Sequence, residues 1–278
     1  MNLSKKITGI ICIVLLTMVC LTSCNHIPYG NNKGVGKYYN IRGFKMYCET
    51  YGSGKPLLMI HGDNGSISTF SDIIPAFSDN YKVIVADSRS QGKSKDLADS
   101  ISFEMMADDY AALLDSLHVD SAYIIGWSDG GINALLLAMR HPKKVKKIVS
   151  SGANLWPDST AINGADWLSA KKEYEQNKDK VKKTDEEKRN WKLFMLDWQQ
   201  PHISAKSLNV IKCPTLVMSG DHDLIKKEHS KIIAQNIPQS NLWIVPKSGH
   251  GVLFEHRHKF INTIKDFFDR PFQANYTY

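Results

Sequence analysis

Short apolar runs alternate with longer amphipathic stretches through most of this chain. Leu57-Leu58-Met59-Ile60, Lys82-Val83-Ile84-Val85-Ala86, Ala122-Tyr123-Ile124-Ile125, Lys147 to Ser151, Thr215-Leu216-Val217-Met218 and Leu242-Trp243-Ile244-Val245 are such runs. Their shortness and their bounding turn residues predict strands buried on both faces. Between them, Thr69 to Ser78, Ser102 to Leu117 and Gly130 to Arg140 are expected to be helical. Strand followed by helix, repeated, builds a parallel sheet with right-handed crossovers. Tyr38 to Tyr51 differs, reading as two antiparallel strands that turn at Arg42-Gly43 and stop at the breaker Gly52-Ser53-Gly54.

The alternation breaks once. Residues 154–207 are polar and helical in composition, with Trp156, Trp167, Trp191, Phe194 and Trp198 among them, and strands resume only afterwards. The expected arrangement is a helical insertion between two strands of one sheet, lying over the strands' carboxyl ends, where open α/β sheets place their sites. A chain of 278 residues accommodates one such domain.

The first residues follow a different logic. Lys5-Lys6 precede an apolar stretch from Ile7 to Leu21, too short for a comfortable membrane span, and Leu21-Thr22-Ser23-Cys24 closes it. The layout is that of a signal peptide, and its end resembles a bacterial lipoprotein signal. That resemblance implies cleavage before Cys24, lipid attachment at Cys24, and a protein anchored to a membrane of the bacterial envelope. Residues 1–24 are then the signal, 25–37 an Asn-, Gly- and Lys-rich tether, and 38–278 the folded domain.

Charge and cysteine content narrow the classes. The formal charge of +7 falls to +5 when Lys5 and Lys6 leave with the signal. The basic run from Lys178 to Arg189 also holds acids, and Asp179 to Lys183 and Asp185 to Arg189 have the i,i+4 spacing of a solvated helix face. No aromatic residues interleave with a basic stripe, so nucleic acid is not an expected partner. Cys48 and Cys213, the two cysteines outside the signal, lie far apart in sequence and are expected as buried free thiols.

The chemistry centres on Gly126-Trp127-Ser128-Asp129-Gly130, a G-x-S-x-G pattern between an expected strand and an expected helix. A serine on that tight turn exposes its hydroxyl, and the glycines are needed where a Cβ would meet backbone. The plainer role for Ser128 is to cap the helix that follows. Two later segments favour the nucleophile. Ser219-Gly220-Asp221-His222-Asp223 and Lys247-Ser248-Gly249-His250-Gly251 each follow a strand, giving the chain order Ser, Asp, His. Serine is a weak nucleophile, so His250 would take its proton and return it to the leaving group, while a carboxylate fixes the imidazole tautomer.

With these motifs, His61-Gly62, and Asp87-Ser88-Arg89-Ser90-Gln91-Gly92-Lys93-Ser94, the segment from about Lys37 to Phe268 resembles the α/β-hydrolase family of serine hydrolases. The resemblance implies a mostly parallel eight-stranded sheet flanked by helices, with residues 154–207 as a helical cap. It implies Ser128, Asp223 and His250 as the catalytic set, Asp223 over Asp221 because the family acid is the last aspartate of its motif. It implies backbone oxyanion donors at Asp63 and Asp129, and structural roles for His61, Asp87 and Arg89. Gly126 to Gly131 with Ser151-Gly152-Ala153-Asn154 looks particularly like the valacyclovir hydrolase (biphenyl hydrolase-like) branch. There the acidic residue after the nucleophile is associated with holding a substrate ammonium, which would give Asp129 a side-chain role beyond complementing the helix dipole. The insertion carries no motif matched to that branch.

The expected activity is hydrolysis of a small-molecule carboxylic ester through an acyl-enzyme, with an α-amino-acid ester as one form. Perhydrolases and C–C bond hydrolases use the same triad, and a non-catalytic ligand-binding lipoprotein is the alternative from another class. No cofactor or metal is expected: no phosphate loop or dinucleotide fingerprint follows a strand, and Asp221, His222, Asp223 and His229 lack helix-face ligand spacing. The pattern carries no signal for an oligomeric state.

Overall fold

The computed structural model describes residues 27–278 apart from position 97. The expected signal segment and its Cys24 lie outside the described residues. Eight strands form one sheet: β1 Lys37–Ile41, β2 Phe44–Tyr51, β3 Lys55–Ile60, β4 Tyr81–Ala86, β5 Ala122–Trp127, β6 Val145–Ser151, β7 Thr215–Gly220 and β8 Ser240–Val245. Helices intervene at α1 Ile74–Ser78, α2 Phe103–Ser116, α3 Asp129–Arg140, α4 Gly164–Asn177, α5 Asp185–Gln199, α6 Lys227–Gln235, α7 Val252–Glu255 and α8 Arg257–Asp269. The strand order is β1-β2-β4-β3-β5-β6-β7-β8, with β1 and β2 antiparallel and β3 to β8 parallel. This is the eight-stranded, mostly parallel, helix-flanked sheet expected from the sequence.

Alternate residues of each inner strand enter opposite cores. Leu58, Ile60, Ile84, Ile124, Ile148 and Val217 pack with Phe103, Tyr110, Leu135 and Ile233 of α2, α3 and α6. Leu57, Met59, Val83, Val85, Ile125, Val149 and Leu216 pack with Ile74 and Phe77 of α1 and with Phe260, Ile264 and Phe267 of α8. A sheet covered on both faces needs apolar residues at every strand position, which is why these strands read as unbroken runs. The β1–β2 hairpin turns through Arg42 at φ 42° and Gly43 at φ 93°, the positive pair that a two-residue type I′ hairpin requires.

Three segments depart from expectation. Thr69 to Ser78 is not one helix but a 3₁₀ turn at Ile67–Phe70 followed by α1, which restarts at a proline that has no N–H to continue an earlier helix. Asp179 to Lys183 lies in the connection between α4 and α5, and neither that pair nor Asp185–Arg189 forms an ion pair among the described residues. The Thr184–Glu187 capping box starts α5 instead, with Glu187 accepting from the amides of Lys183 and Thr184. The second half of the expected tether is docked rather than loose: Gly30 and Asn32 donate their amides to Glu49, each at 2.8 Å, and Glu49 is fully buried between Tyr47 and Tyr51 hydroxyls. Cys48 is buried and Cys213 half-buried, both free, with burial pushing the thiols up to about 12 and about 11.

Helices α4 and α5 are inserted between β6 and β7. Their aromatic side chains stack on one another, Tyr174 on Trp198 at 5.0 Å and Trp191 on Phe194 at 5.2 Å. None of the α4 residues is buried, whereas α5 buries Leu193 and Leu196. The insertion is therefore held by one face of α5 together with Leu155 and Ile203 near its two ends, which are buried in the same core. Among the described residues no helix is long and apolar enough to cross a membrane.

Candidate active site

Ser128 sits between the last residue of β5 and the first of α3, at φ 58° and ψ −123°. Few L-residues adopt that conformation, and tight packing holds it. A Cβ on Gly126 would stand 2.0 Å from the Gly130 carbonyl oxygen, and one on Gly130 would stand 1.9 Å from that of Ile60. Only glycine allows the chain to turn so close to β3. The Ser128 side chain makes no capping bond to α3, so its hydroxyl is free of the plainer role the motif allows.

The hydroxyl meets the base. His250 Nε2 lies 2.9 Å from Ser128 Oγ, and its Nδ1 lies 2.7 Å from Asp223 Oδ1. Asp223 is an acceptor only, so the ring proton sits on Nδ1 and Nε2 is left to accept from the serine. Asp223 is 7% exposed, and its other contacts are the amide of Ile225 at 3.0 Å, the amide of Gly220 at 3.3 Å and the Ser219 hydroxyl at 3.2 Å. Four donors hold one carboxylate in place. Gly152 at φ 67° gives the imidazole its room, since a Cβ there would stand 2.7 Å from His250 Cε1.

Asp221 does different work. Its carboxylate accepts from His222 Nδ1 at 2.7 Å and from the Ser248 amide at 3.1 Å, joining the loops after β7 and β8; the backbone of Lys247 first, and then the His222 and Ser248 bonds, holds its pKa down to about 2. Glu255 braces the second loop by accepting from the Gly249 amide at 2.8 Å and the Ser248 hydroxyl at 3.0 Å.

The backbone of Asp63 follows Gly62 after β3, and a Cβ on Gly62 would stand 2.8 Å from Ser128 Cβ. Gly62 thus packs against the serine, Asp129 follows it directly, and among the described residues neither the Asp63 nor the Asp129 amide donates to another residue.

Their side chains converge with a third that the sequence did not single out. Asp63, Asp129 and Asp197 of α5 each bring one carboxylate oxygen within 4.8 Å of the others. Asp129 is 5% exposed, and its Oδ2, like Asp197 Oδ1, is sealed from solvent with no hydrogen-bond partner. Burial, and after it the charge of Asp63, pushes the pKa of Asp129 well above the carboxylate range; burial, and after it the charges of Asp129 and Asp63, does the same for Asp197, while a side-chain hydrogen bond between the two lowers Asp129 and raises Asp197. Burial raises Asp63 as well, against the hydrogen bond from Asn64. The cluster presents hard carboxyl oxygens only, and the Asp129–Asp197 hydrogen bond lets the buried pair share a proton.

The other flagged side chains stay out of the site. His61 is buried, accepts from the Ser88 amide at Nε2 and donates from Nδ1 to the Gly62 carbonyl at 2.7 Å; burial lowers its pKa to about 4. Asp87 receives the amides of Ile67 and Lys93, and Arg89 forks onto Asp109 through two bonds of 2.7 Å. His229 accepts from the Leu155 amide at 2.9 Å, pinning the start of the insertion.

A family model described as alpha/beta hydrolase fold matches residues 55–190. Serine hydrolase BPHL of Mus musculus is 28% identical over 248 residues, covering 82% of this chain and 84% of its own. A 2-hydroxy-6-oxo-6-phenylhexa-2,4-dienoate hydrolase of Burkholderia cepacia is 26% identical over 274 residues, 85% of this chain and 93% of its own. The chain has the α/β hydrolase fold and is similar in sequence to hydrolases of that family. Its fold is shared with an alpha/beta hydrolase enzyme from a Medee basin deep-sea metagenome library, at a TM-score of 0.72 and 19% identity over 86% of this chain and 99% of that one.

The hydrolase brings Ser128, Asp223, His250, Asp63 and Asp129 together from the ends of four strands. Asp197, Trp127 and Glu255 escaped the sequence reading. Trp127 occupies a position the motif leaves open, Glu255 has no pattern of its own, and Asp197 is one acid among many in a polar insertion.

Proposed function

We propose that the hydrolase cleaves small carboxylic esters by a Ser-His-Asp acyl-enzyme mechanism. The observation that carries this is the unbroken run from Ser128 Oγ through His250 to Asp223, at 2.9 and 2.7 Å. His250 Nε2 takes the serine proton as Oγ attacks the ester carbonyl. Asp223 stabilises the imidazolium that results. The Asp63 and Asp129 amides receive the oxyanion, His250 returns the proton to the leaving alcohol, and a water activated by the same imidazole releases the acid.

The finer reading is an ester with a cation near its carbonyl, an α-amino-acid ester. A buried carboxylate one residue from the nucleophile favours a cationic acyl group over a neutral one. The same carboxylates disfavour the anionic dienoate in the name of the Burkholderia cepacia relative. Turnover of p-nitrophenyl, aminoacyl and dienoate substrates, with Ser128→Ala as control, tests both levels. Absence of all hydrolysis, together with absence of fluorophosphonate labelling at Ser128, would leave a ligand-binding scaffold instead.

Attachment of this domain to a membrane through a lipid on Cys24 belongs to the proposal too, supported by the signal-like pattern of residues 1–24. Metabolic incorporation of an alkynyl fatty acid, lost in Cys24→Ser, is the expected result.

A further inference from the structure

Residues 29–32, a few positions after Cys24, are fixed to one end of the sheet. Gly30 and Asn32 give their amides to the buried carboxylate of Glu49, which lies opposite Val85, one residue before the end of β4. Asn31 Oδ1 accepts from Lys93 Nζ at 2.7 Å, in the loop after β4. A Cβ on Gly30 would stand 3.3 Å from the Ser68 amide nitrogen, in the segment after β3, and Tyr29 sets its ring edge-on against Tyr51 at 4.9 Å. These loops follow the carboxyl ends of β3 and β4, the end of the sheet that also carries Ser128, Asp223 and His250. The Tyr47 and Tyr51 hydroxyls complete four donors on Glu49, so pulling residues 29–32 away would leave a buried charge short of partners.

We infer that the active-site end of the sheet is seated on a phospholipid bilayer, with Leu168 and Phe254 dipping into its surface. The inference rests on the lipid attachment at Cys24 proposed above and adds an orientation to it. Only two residues separate Cys24 from Ile27, and three residue steps span at most roughly 11 Å. A six-residue strand such as β4 is by itself ~20 Å long, so an anchor entering beside Ser68 and Lys93 does not reach the opposite end of the sheet. Large apolar side chains are exposed at the near end. Phe254, 55% exposed, follows the His250 loop, and Leu168, 59% exposed, is carried by α4, which starts where the Asn163 amide donates to the Leu224 carbonyl in the loop after β7. Residues 171–183 of the insertion hold six lysines and three acids, a surplus that suits anionic headgroups. Lys143, Lys144 and Lys146 form a rival basic patch at the start of β6, at the far end. At about 1 kcal/mol for each lysine near an anionic surface that patch would compete on a loose tether, but the docked one holds it away from the bilayer.

The test uses the full chain, lipid-modified in a bacterial host, in vesicles of phosphatidylethanolamine and phosphatidylglycerol with brominated acyl chains. Leu168→Cys, Phe254→Cys and Lys143→Cys, each in a Cys213→Ser background, carry a bimane label, and a melting curve establishes that each is folded. A group seated ~5–10 Å into the boundary between headgroups and acyl chains meets the bromines, so the Leu168→Cys and Phe254→Cys labels are expected to lose about half their emission and the Lys143→Cys label to keep it. Inserting about 20 Gly and Ser residues after Asn25, which adds roughly 25 Å of reach, is expected to restore the emission. Equal emission from the three labels, or quenching confined to Lys143→Cys, overturns the orientation and leaves the attachment intact when the protein floats with the vesicles. A protein that carries no lipid and does not float overturns the attachment, and the orientation with it.

Discussion

The indole Nε1 of Trp127 donates to the backbone carbonyl of His250 at 2.8 Å, so the residue before Ser128 holds the loop that carries His250. The two rings also lie 5.5 Å apart, and Phe254 packs edge-on against Trp127 at 5.3 Å. One side chain thereby sets the distance between the end of β5 and the loop after β8. Trp127→Phe keeps most of the packing and removes the bond. Its kcat is expected to fall about tenfold, the equivalent of one net hydrogen bond of roughly 1.4 kcal/mol, with KM nearly unchanged. Steady-state kinetics with a fixed ester decides it; a change confined to KM would assign Trp127 to substrate contact instead.

Ser128→Ala is expected to lower kcat by about 10⁴ to 10⁶, and Asp223→Asn by about 10⁴, with the fold intact. Asparagine accepts a proton where the carboxylate does, but it also offers its amide to Nδ1 and turns the imidazole to the wrong tautomer. Asp221→Asn provides the contrast, since its bonds to His222 and Ser248 join loops without touching His250. A larger loss in Asp221→Asn than in Asp223→Asn would exchange their roles.

Asp129→Asn is expected to stabilise the protein while impairing it. The folded state raises the Asp129 pKa, so it binds that proton more tightly than the unfolded chain does. Stability is therefore lost as pH climbs from the unfolded value near 3.9 through the folded one. The variant removes that loss: its advantage is small at pH 4.5 and reaches about 1–2 kcal/mol at pH 8. Urea melts at pH 4.5, 6 and 8 measure it, and a variant less stable than wild type at pH 8 would contradict the argument.

Arg89→Lys tests the loop architecture. The guanidinium forks onto buried Asp109 and reaches Asp96 at 3.1 Å, and lysine can satisfy only part of that geometry. The expected cost is about 2–4 kcal/mol of folding stability, with the kcat of folded protein near wild type. Thermal melts and activity per folded molecule separate the two effects.

Much of this protein is written locally. The parallel strands are legible because burial on both faces demands unbroken apolar runs, and Arg42-Gly43 marks a hairpin because its conformation needs positive φ. Gly126 and Gly130 mark the elbow for a related reason, since a Cβ at either would overlap backbone. The order Ser128, Asp223, His250 is legible because each follows a strand and the strand ends share one edge of the sheet. Helix boundaries were less so: Pro75 divides a stretch that composition joins, and Asp179 to Lys183 has helical spacing in a connection that a capping box at Thr184 breaks.

What only the tertiary structure decided is the environment of charge. Asp129 and Asp197 carry the same side chain as exposed acids elsewhere in the chain, and nothing local distinguishes Asp197 from Asp179 or Asp185. Folding α5 over the elbow removes water from two of these oxygens and brings Asp63 against them. Ser128, Asp223 and His250 are set by the backbone turns that present them, which sequence encodes directly. The cluster beside it is set by burial and by distances between remote segments, which exist only once the chain has folded.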